Sequence, residues 1–177
     1  MKVILISAKA RNGKDQSAIY LKEILEEKGK RVLTIHYADY LKYFCKEYLS
    51  WDGVKDEHGR EILQKWGSQV VRKNYPDTWV DIVIAILKGI CTEYDYVLIP
   101  DVRFPNEIDK MKENFDCISI RLARPNFDNG LTDEQKKHIS ETALDDYVGF
   151  DCRIINDGSL SELKQMLKNF TKRELEV

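Results

Sequence analysis

The chain opens with an apolar run, Val3-Ile4-Leu5-Ile6. It passes through Ser7-Ala8-Lys9-Ala10-Arg11-Asn12-Gly13-Lys14-Asp15 into a helical pattern that starts at Ser17-Ala18-Ile19-Tyr20-Leu21. That order reads as a buried strand, a tight loop and a helix start, with Gly-Lys at the junction. Such a loop aims several backbone N–H groups and one ammonium at a single point, at the positive end of a helix dipole. Its natural occupant is a polyphosphate.

The pattern G-x-x-x-x-G-K-[ST] describes loops that cradle phosphates. Gly13 and Lys14 fit it, but Ala8 holds the first glycine position. Asp15 stands where a hydroxyl usually meets magnesium. Alanine is the smallest replacement for glycine, and it serves only if its φ is negative. A carboxylate at position 15 can still serve Mg²⁺, directly or through water, because that ion prefers oxygen ligands. The plainer reading is a strand-to-helix turn with an incidental Gly-Lys.

At 177 residues the chain is long enough for one well-buried domain and short for two. Its formal charge of −2 gives no electrostatic case for nucleic-acid binding. No apolar run reaches the roughly 18 to 20 residues that span a bilayer, so no membrane partner is expected. Met1-Lys2 leads into the strand without a signal-peptide pattern. Cys45, Cys91, Cys117 and Cys152 are far apart and form no C-x-x-C pair. Three of the four sit in apolar segments and read as small buried hydrophobes. A reducing cytoplasm is the simplest compartment, and the absence of Cys/His ligand spacing argues against zinc.

Strands and helices then alternate. Val3–Ile6, Arg31–His36, Tyr96–Pro100, Cys117–Leu122 and Cys152–Ile155 read as strands. Ser17–Lys28 carries a helical apolar face, with Gly29 placed to cap its end. A section from about Asp39 to Tyr75 is expected to be helical and mixed in polarity, and Thr78–Cys91 is apolar with helical length. Pro105–Lys112 fits a short helix. Arg124–Asp146 is polar and reads as a mobile excursion. Ser159–Phe170 reads as a last helix, with Ser159 and Glu162 spaced as a capping box. Short apolar strands separated by helices imply a parallel sheet covered on both faces, in the α/β class.

Ligands of such sheets bind beyond the carboxyl ends of the strands. Polar residues collect at that end. The Gly-Lys loop follows the first strand, and His36, Asp39 and Tyr40 follow the second. Asp101, Arg103, Asn106 and Glu107 follow the third, Arg121 and Arg124 the fourth, and Asn156, Asp157 and Gly158 the last. Phosphoryl transfer needs positioning, Mg²⁺ and cations around the transferring group. Asp101 is placed to reach magnesium through water, or else to cap the turn after it. Arg103 suits bidentate phosphate binding, or else a surface ion pair with Glu107. Arg124 precedes Pro125 at the entrance of the excursion. Closure there would bring it over the phosphates and exclude water; the simpler reading is a solvated loop arginine. His138-Ile139-Ser140-Glu141 lies in the same excursion, where a lone histidine reads first as a surface or capping residue. Asn156-Asp157-Gly158-Ser159 reads as a turn before a helix cap, and it also suits contact with a purine. In the middle section, Gly59-Arg60-Glu61, Leu63-Gln64-Lys65-Trp66-Gly67, Arg72 and Trp79 mix cations with aromatics. Such a mixture can hold a phosphate and stack a base. Trp66 and Trp79 read more simply as core.

Together these segments resemble the phage-type deoxynucleoside monophosphate kinases, members of the P-loop kinases. The resemblance rests on residues 7–15, on Gly-Arg-Glu-Ile-Leu-Gln-Lys-Trp-Gly (59–67), and on Ile-Pro-Asp-Val-Arg-Phe-Pro-Asn-Glu (99–107). Ala-Arg-Pro (123–125), His-Ile-Ser-Glu (138–141) and Ile-Asn-Asp-Gly-Ser-Leu (155–160) complete it, in family order over nearly the whole chain. It implies one domain over 1–177 with a P-loop NTPase fold, a three-layer α/β/α sandwich around a five-stranded parallel sheet. A helical acceptor-binding insertion would span about 38–80 and a lid about 124–146.

The resemblance also implies ATP and Mg²⁺ as cofactors and a deoxynucleoside monophosphate as small-molecule substrate. Ala10, Arg11, Asn12, Gly13, Lys14, Asp15 and Gln16 would bind the donor phosphates. Asn156 and Gly158 would lie near the donor adenine. Asp15 and Asp101 would serve the metal. Lys14, Asp101, Arg103 and Arg124 would carry catalysis. Arg60, Gln64, Trp79, Glu107, His138 and Glu141 would meet the acceptor. In this family Asp after Gly-Lys is usual, so Asp15 fits; Gln16 stands where the family has Thr, and Ala8 where it has Gly. Oligomeric state stays open, a homodimer included. Two alternatives stand beside this reading. One is a kinase of another phosphorylated acceptor, since animal-type phosphomevalonate kinase shares the Gly-Lys-Asp loop and dephospho-coenzyme A kinase the general architecture. The other is a nucleotide-binding module without catalysis, which Ala8 and Gln16 motivate.

Overall fold

The computed structural model describes residues 1–54 and 56–176. Lys55, inside the expected middle helical section, and Val177 lie outside the described residues. The elements run β1 (Lys2–Ala8), α1 (Lys14–Glu26), β2 (Val32–Thr34), α2 (Ala38–Tyr48), α3 (Glu57–Gln64), a π-helix (Lys65–Arg72) and α4 (Thr78–Gly89). They continue with β3 (Tyr96–Val102), α5 (Pro105–Asn114), β4 (Asp116–Ala123), α6 (Asp133–Lys137), α7 (Ile139–Thr142), β5 (Cys152–Ile155) and α8 (Leu160–Glu174). The chain divides into two compact units, residues 1–35 with 90–177, and His36–Gly89.

In the first unit all five strands are parallel, in the order β2-β3-β1-β4-β5. Strand β1 is central and its residues from Val3 to Ala8 are buried. Alternate side chains serve opposite faces. Ile4, Ile6 and Ala8 join Leu21 and Leu25 of α1 and Leu163, Leu167 and Phe170 of α8 in one core cluster. Val3 and Leu5, on the opposite face, are buried outside that cluster, as are Ile108 and Met111 of α5. Burial on both faces is why these strands are near-continuous apolar runs. The Ser159–Glu162 capping box forms as expected, with Glu162 N–H donating to Ser159 Oγ at 3.2 Å and Ser159 N–H to Glu162 Oε2 at 2.7 Å.

The topology opens a crevice at the carboxyl ends. Strand β1 connects toward β2 on one side and its neighbour β4 toward β5 on the other, and ligands of open α/β sheets bind at such a divergence. A second irregularity lies beside it. Leu5 pairs with Ile99 but Ser7 with Val102, so the β1–β3 register slips by one across Pro100. Pro100 has no N–H to give to a ladder, and β2 has already ended opposite Leu98. Asp101 follows at once.

Several boundaries differ from the sequence reading. Strand β2 is shorter than Arg31–His36. Arg31 N–H donates to Asp95 Oδ2 at 2.8 Å and His36 N–H to Asp39 Oδ2 at 3.0 Å, so side chains take both ends. Helix α1 starts at Lys14, three residues before Ser17, because Gly13 ends the loop at φ 92. Gly29 closes it at φ 72, as expected. The excursion 124–146 contains α6 and α7. Among the cysteines only Cys45 is fully buried; Cys117 and Cys152 are half-buried and Cys91 is exposed.

The second unit is helical, and its middle section is not one stretch. Helix α2 ends at Tyr48 and α3 begins after Asp56, whose carboxylate accepts Gly59 N–H at 2.8 Å. Ser50 and Gly53 between them have φ of 54 and 90. The glycines of the 59–67 motif are packing positions: a Cβ at Gly59 would lie 2.0 Å from Val54 O, and one at Gly67 2.5 Å from Leu41 Cδ2.

Candidate phosphate-binding site

Gly13 supplies the left-handed turn that lets α1 begin directly under the loop. The loop is braced from inside. Asn12 Nδ2 donates to Ala10 O at 2.9 Å and Asn12 N–H to Lys9 O at 3.2 Å. Asn156, after β5, donates its Nδ2 to Asn12 O at 3.1 Å. Arg11, at φ 60, reaches away to Asn129 O at 2.8 Å. Ala8 has negative φ, the condition its size imposed. Ser17 gives its hydroxyl to Gly13 O at 2.9 Å, so it does not stand in for the missing Thr at position 16.

The Lys14 side chain is only 12% exposed and its Nζ lies 3.7 Å from Asp15 Oδ2. Burial chiefly, and then the neighbouring Arg103 guanidinium, press its pKa below the ordinary lysine value, while Asp15, Glu141 and Asp101 pull it back up. Five of the expected charged groups therefore share one neighbourhood. Arg103 lies one residue past β3. Its N–H donates to Glu107 Oε2 at 2.6 Å, and its Nη1 donates to Ser140 O at 3.2 Å and pairs with Glu141 Oε1. The other Glu141 oxygen accepts Ala10 N–H of the loop at 2.9 Å. An open cavity of about 470 Å³ lies beside the loop, lined in part by Lys9, Phe127, Asn129, Lys136 and Glu141.

Several expected site residues hold other places. Glu107 is 1% exposed, and its carboxylate accepts the N–H groups of Arg103 and Phe104. It shapes the turn into α5. His138 caps α7, its Nδ1 accepting Ser140 N–H at 3.2 Å. Asn156 is 7% exposed under the loop, and Gly158 lies against Glu162 of the α8 cap. The Arg124 guanidinium stacks on the Phe127 ring, 4.0 Å from its centroid. Arg60, Gln64 and Trp79 belong to the second unit. There Arg60 is exposed and Gln64 half-buried, while Trp79 is buried, with its indole N–H donated to Gly67 O at 3.1 Å. The core reading of Trp79 is the one its packing fits.

The sequence reading gave no role to a second cluster at the same strand ends. Arg121 of β4 pairs in register with Ser7 of β1 and donates to its Oγ at 2.8 Å, and Ser7 donates to Val102 O at 3.0 Å. Asp145 then bridges Arg121 at 3.3 Å and Lys9 at 2.8 Å. Burial, first of all, lowers the Arg121 pKa. An arginine inside Cys-Ile-Ser-Ile-Arg-Leu, a largely apolar run, was the available signal.

A parallel sheet of this order, with a Gly-Lys loop after its central strand, is the fold of the P-loop kinases. The solved structures agree. Shikimate kinase from Aquifex aeolicus vf5 superposes with a TM-score of 0.51, at 11% identity, over 98% of this chain and 99% of that one. The Mycobacterium tuberculosis APS kinase CysC in complex with AMPPNP and APS does so at 0.50 and 14%, over 97% of each. The family model for deoxynucleotide monophosphate kinase matches residues 53–167. The deoxynucleotide monophosphate kinase of Enterobacteria phage T4 is 31% identical over 115 residues, 64% of this chain and 45% of that protein. The chain belongs to the deoxynucleotide monophosphate kinase family. The alignment covers less than half the length of the phage relative. The family match holds Asp101, Arg103, Arg124, residues 138–141 and Asn156, and the phosphate loop lies before it.

Proposed function

We propose that this protein transfers the γ-phosphoryl group of ATP to the 5′-phosphate of a deoxynucleoside monophosphate. The observation that carries the reading is Lys14, a nearly buried ammonium held beside a second cation, Arg103, at the N-terminus of α1. Two cations and a helix start directed at one place cost stability in an empty protein and favour a polyanion. Family membership supports the deoxynucleotide acceptor, and the AMPPNP held by the mycobacterial APS kinase supports an ATP donor.

The backbone N–H groups of residues 10–15 and Lys14 hold the donor phosphates. Arg103, and Arg124 when it leaves Phe127, hold the transferring group and the acceptor phosphate. An oxygen of the acceptor phosphate bonds to the γ-phosphorus as the β–γ bridging P–O bond breaks, and ADP leaves with that electron pair. The acceptor is already ionised, so no strong general base is required, and fixed cations do most of the work. Asp15 and Asp101 offer hard carboxylate oxygens, the donor set that Mg²⁺ takes beside nucleotide phosphates. Held there, Mg²⁺ would neutralise the charge that builds on the departing ADP. Among the described residues no group of three or more His, Cys, Asp or Glu is placed to hold a metal by itself.

No described helix is long and apolar enough to cross a membrane, and unpaired cysteines support a reducing cytoplasm. A coupled ADP-release assay with ATP and Mg²⁺, against a panel of deoxy- and ribonucleoside monophosphates, tests the proposal. Release that depends on a deoxynucleotide is expected. Release with mevalonate phosphate alone would transfer the loop to another acceptor. ATP binding with silence across both would make this a non-catalytic binding module.

A further inference from the structure

We infer that Glu141 is a positioning residue, which acts through Arg103 and the phosphate loop rather than by touching the acceptor. The inference rests on the phosphoryl-transfer reading above. The Glu141 side chain is 10% exposed and both of its oxygens are engaged. Oε2 accepts the Ala10 N–H of the loop at 2.9 Å, and Oε1 pairs with Arg103 Nη1. One carboxylate thus ties the loop to the arginine that follows β3.

The rest of the 138–141 motif serves the same end. His138 Nδ1 accepts Ser140 N–H at 3.2 Å and lies 2.8 Å from Ser140 Oγ, which fixes the first turn of α7. That turn delivers Ser140 O to Arg103 at 3.2 Å and aims Glu141 back at the loop. At its backbone end Arg103 is held by Glu107 at 2.6 Å. Two carboxylates therefore pin the arginine, one at its N–H and one at its guanidinium. One turn on, Asp145 repeats the device with Lys9 and Arg121.

The physical need is clear from charge. Arg103 and Lys14 repel each other across a partly desolvated site. Without an anion between them the longer, freer side chain would relax toward solvent. Glu141 holds it near Lys14 before any phosphate arrives, and a group misplaced by about 1 Å can cost about 100-fold in rate.

The test compares wild type with Glu141→Gln and Glu141→Asp. It uses steady-state kinetics on the monophosphate that wild type phosphorylates, ADP affinity by calorimetry, and hydrogen exchange of the peptide covering residues 8–14. Gln keeps the shape but replaces one acceptor oxygen by a donor. The expected result is a fall in kcat of about 10–100-fold for Glu141→Gln. ADP affinity should change less than about threefold, exchange at Ala10 should quicken, and Glu141→Asp should recover part of kcat. A raised KM for the acceptor with kcat unchanged would overturn the inference in favour of direct substrate contact. Tighter ADP binding without loss of kcat would overturn it in favour of a carboxylate that merely blocks a phosphate seat. If wild type phosphorylates no monophosphate, the functional reading fails; faster exchange in Glu141→Gln would then reduce Glu141 to a structural fastener.

Discussion

Gly13→Ala tests whether the phosphate loop takes its shape from the asparagine beneath it. Gly13 has φ 92 and ψ 12, where the Cβ of an L residue crowds its own backbone at a cost of about 1–2 kcal/mol. The new Cβ would also lie 2.6 Å from Asn156 Nδ2. Asn156 is 7% exposed and donates to Asn12 O at 3.1 Å. Displacing its amide leaves a buried donor and a buried carbonyl short of partners, about 1–3 kcal/mol more. The sum is about 2–5 kcal/mol, and for a chain of this size it lowers Tm by roughly 4–20 °C.

Asn156→Ala alone removes the hydrogen bond and the clash but leaves the backbone demand. In that background Gly13→Ala should cost only the backbone part, about 1–2 kcal/mol. Urea melts of the four proteins give the coupling, expected at about 1–3 kcal/mol. ADP affinity should fall in Gly13→Ala, because the loop N–H groups turn with the backbone. An equal cost in both backgrounds would refute the account, since Asn156 would then not feel position 13.

Two further outcomes follow from the placement of charge. Lys14→Met should abolish turnover yet raise Tm of the nucleotide-free protein by roughly 2–4 °C, on the order of 1 kcal/mol, because it removes a desolvated cation beside Arg103; a lower Tm in differential scanning calorimetry would show the ammonium to be a net stabiliser. Asp151 immediately precedes β5, where partial desolvation pushes its carboxyl up but Lys112 and Ser119 more than offset that and leave its pKa below the ordinary value. Its folded pKa is the lower one, so its contribution is complete above about pH 4 and is lost as pH falls through the folded value. Because the pair is solvent-screened, Asp151→Asn should therefore cost at most about 0.5–1 kcal/mol in urea melts at pH 7 and less at pH 3; an equal cost at both would assign the effect to shape rather than charge.

The elements that the sequence made legible are those with a one-dimensional signature. Val3–Ile6 and Tyr96–Pro100 are apolar runs because both faces of their strands are covered, and Ser159 with Glu162 forms its cap within four residues. What failed to show was decided by side chains far away or by backbone alone. Strand β2 lost its ends to Asp95 and Asp39. The break between α2 and α3 hides behind Trp51 and Val54, apolar residues that keep a helical rhythm while Trp51 Nε1 bonds Val54 O at 2.9 Å in a loop. At the strand ends, the rule listed Lys14, Asp101 and Arg103, which share one neighbourhood in the fold. The resemblance assigned Glu141 to the acceptor, since its contact with Ala10 spans 131 residues of chain, and the strand-end rule listed Arg121 without a role, since its contact with Ser7 spans 114.

The two departures in the loop are not equivalent. Ala8 is the last residue of β1, 2% exposed, with negative φ and a strand partner in Leu122. Glycine there would add backbone freedom and lose packing, so Ala8→Gly should cost about 0.5–1 kcal/mol of stability and leave ADP affinity unchanged. Gln16 is different. The family places a hydroxyl there, and Ser17 cannot supply it because its Oγ is committed to Gly13 O at 2.9 Å. A hydroxyl bonded to a charged phosphate contributes about 1.5–3 kcal/mol, which is about 10- to 150-fold in affinity. Gln16→Thr should then tighten ADP binding by up to that factor, read by calorimetry, with kcat altered far less. A gain from Ala8→Gly and none from Gln16→Thr would mean that backbone path, and not the missing hydroxyl, limits this loop.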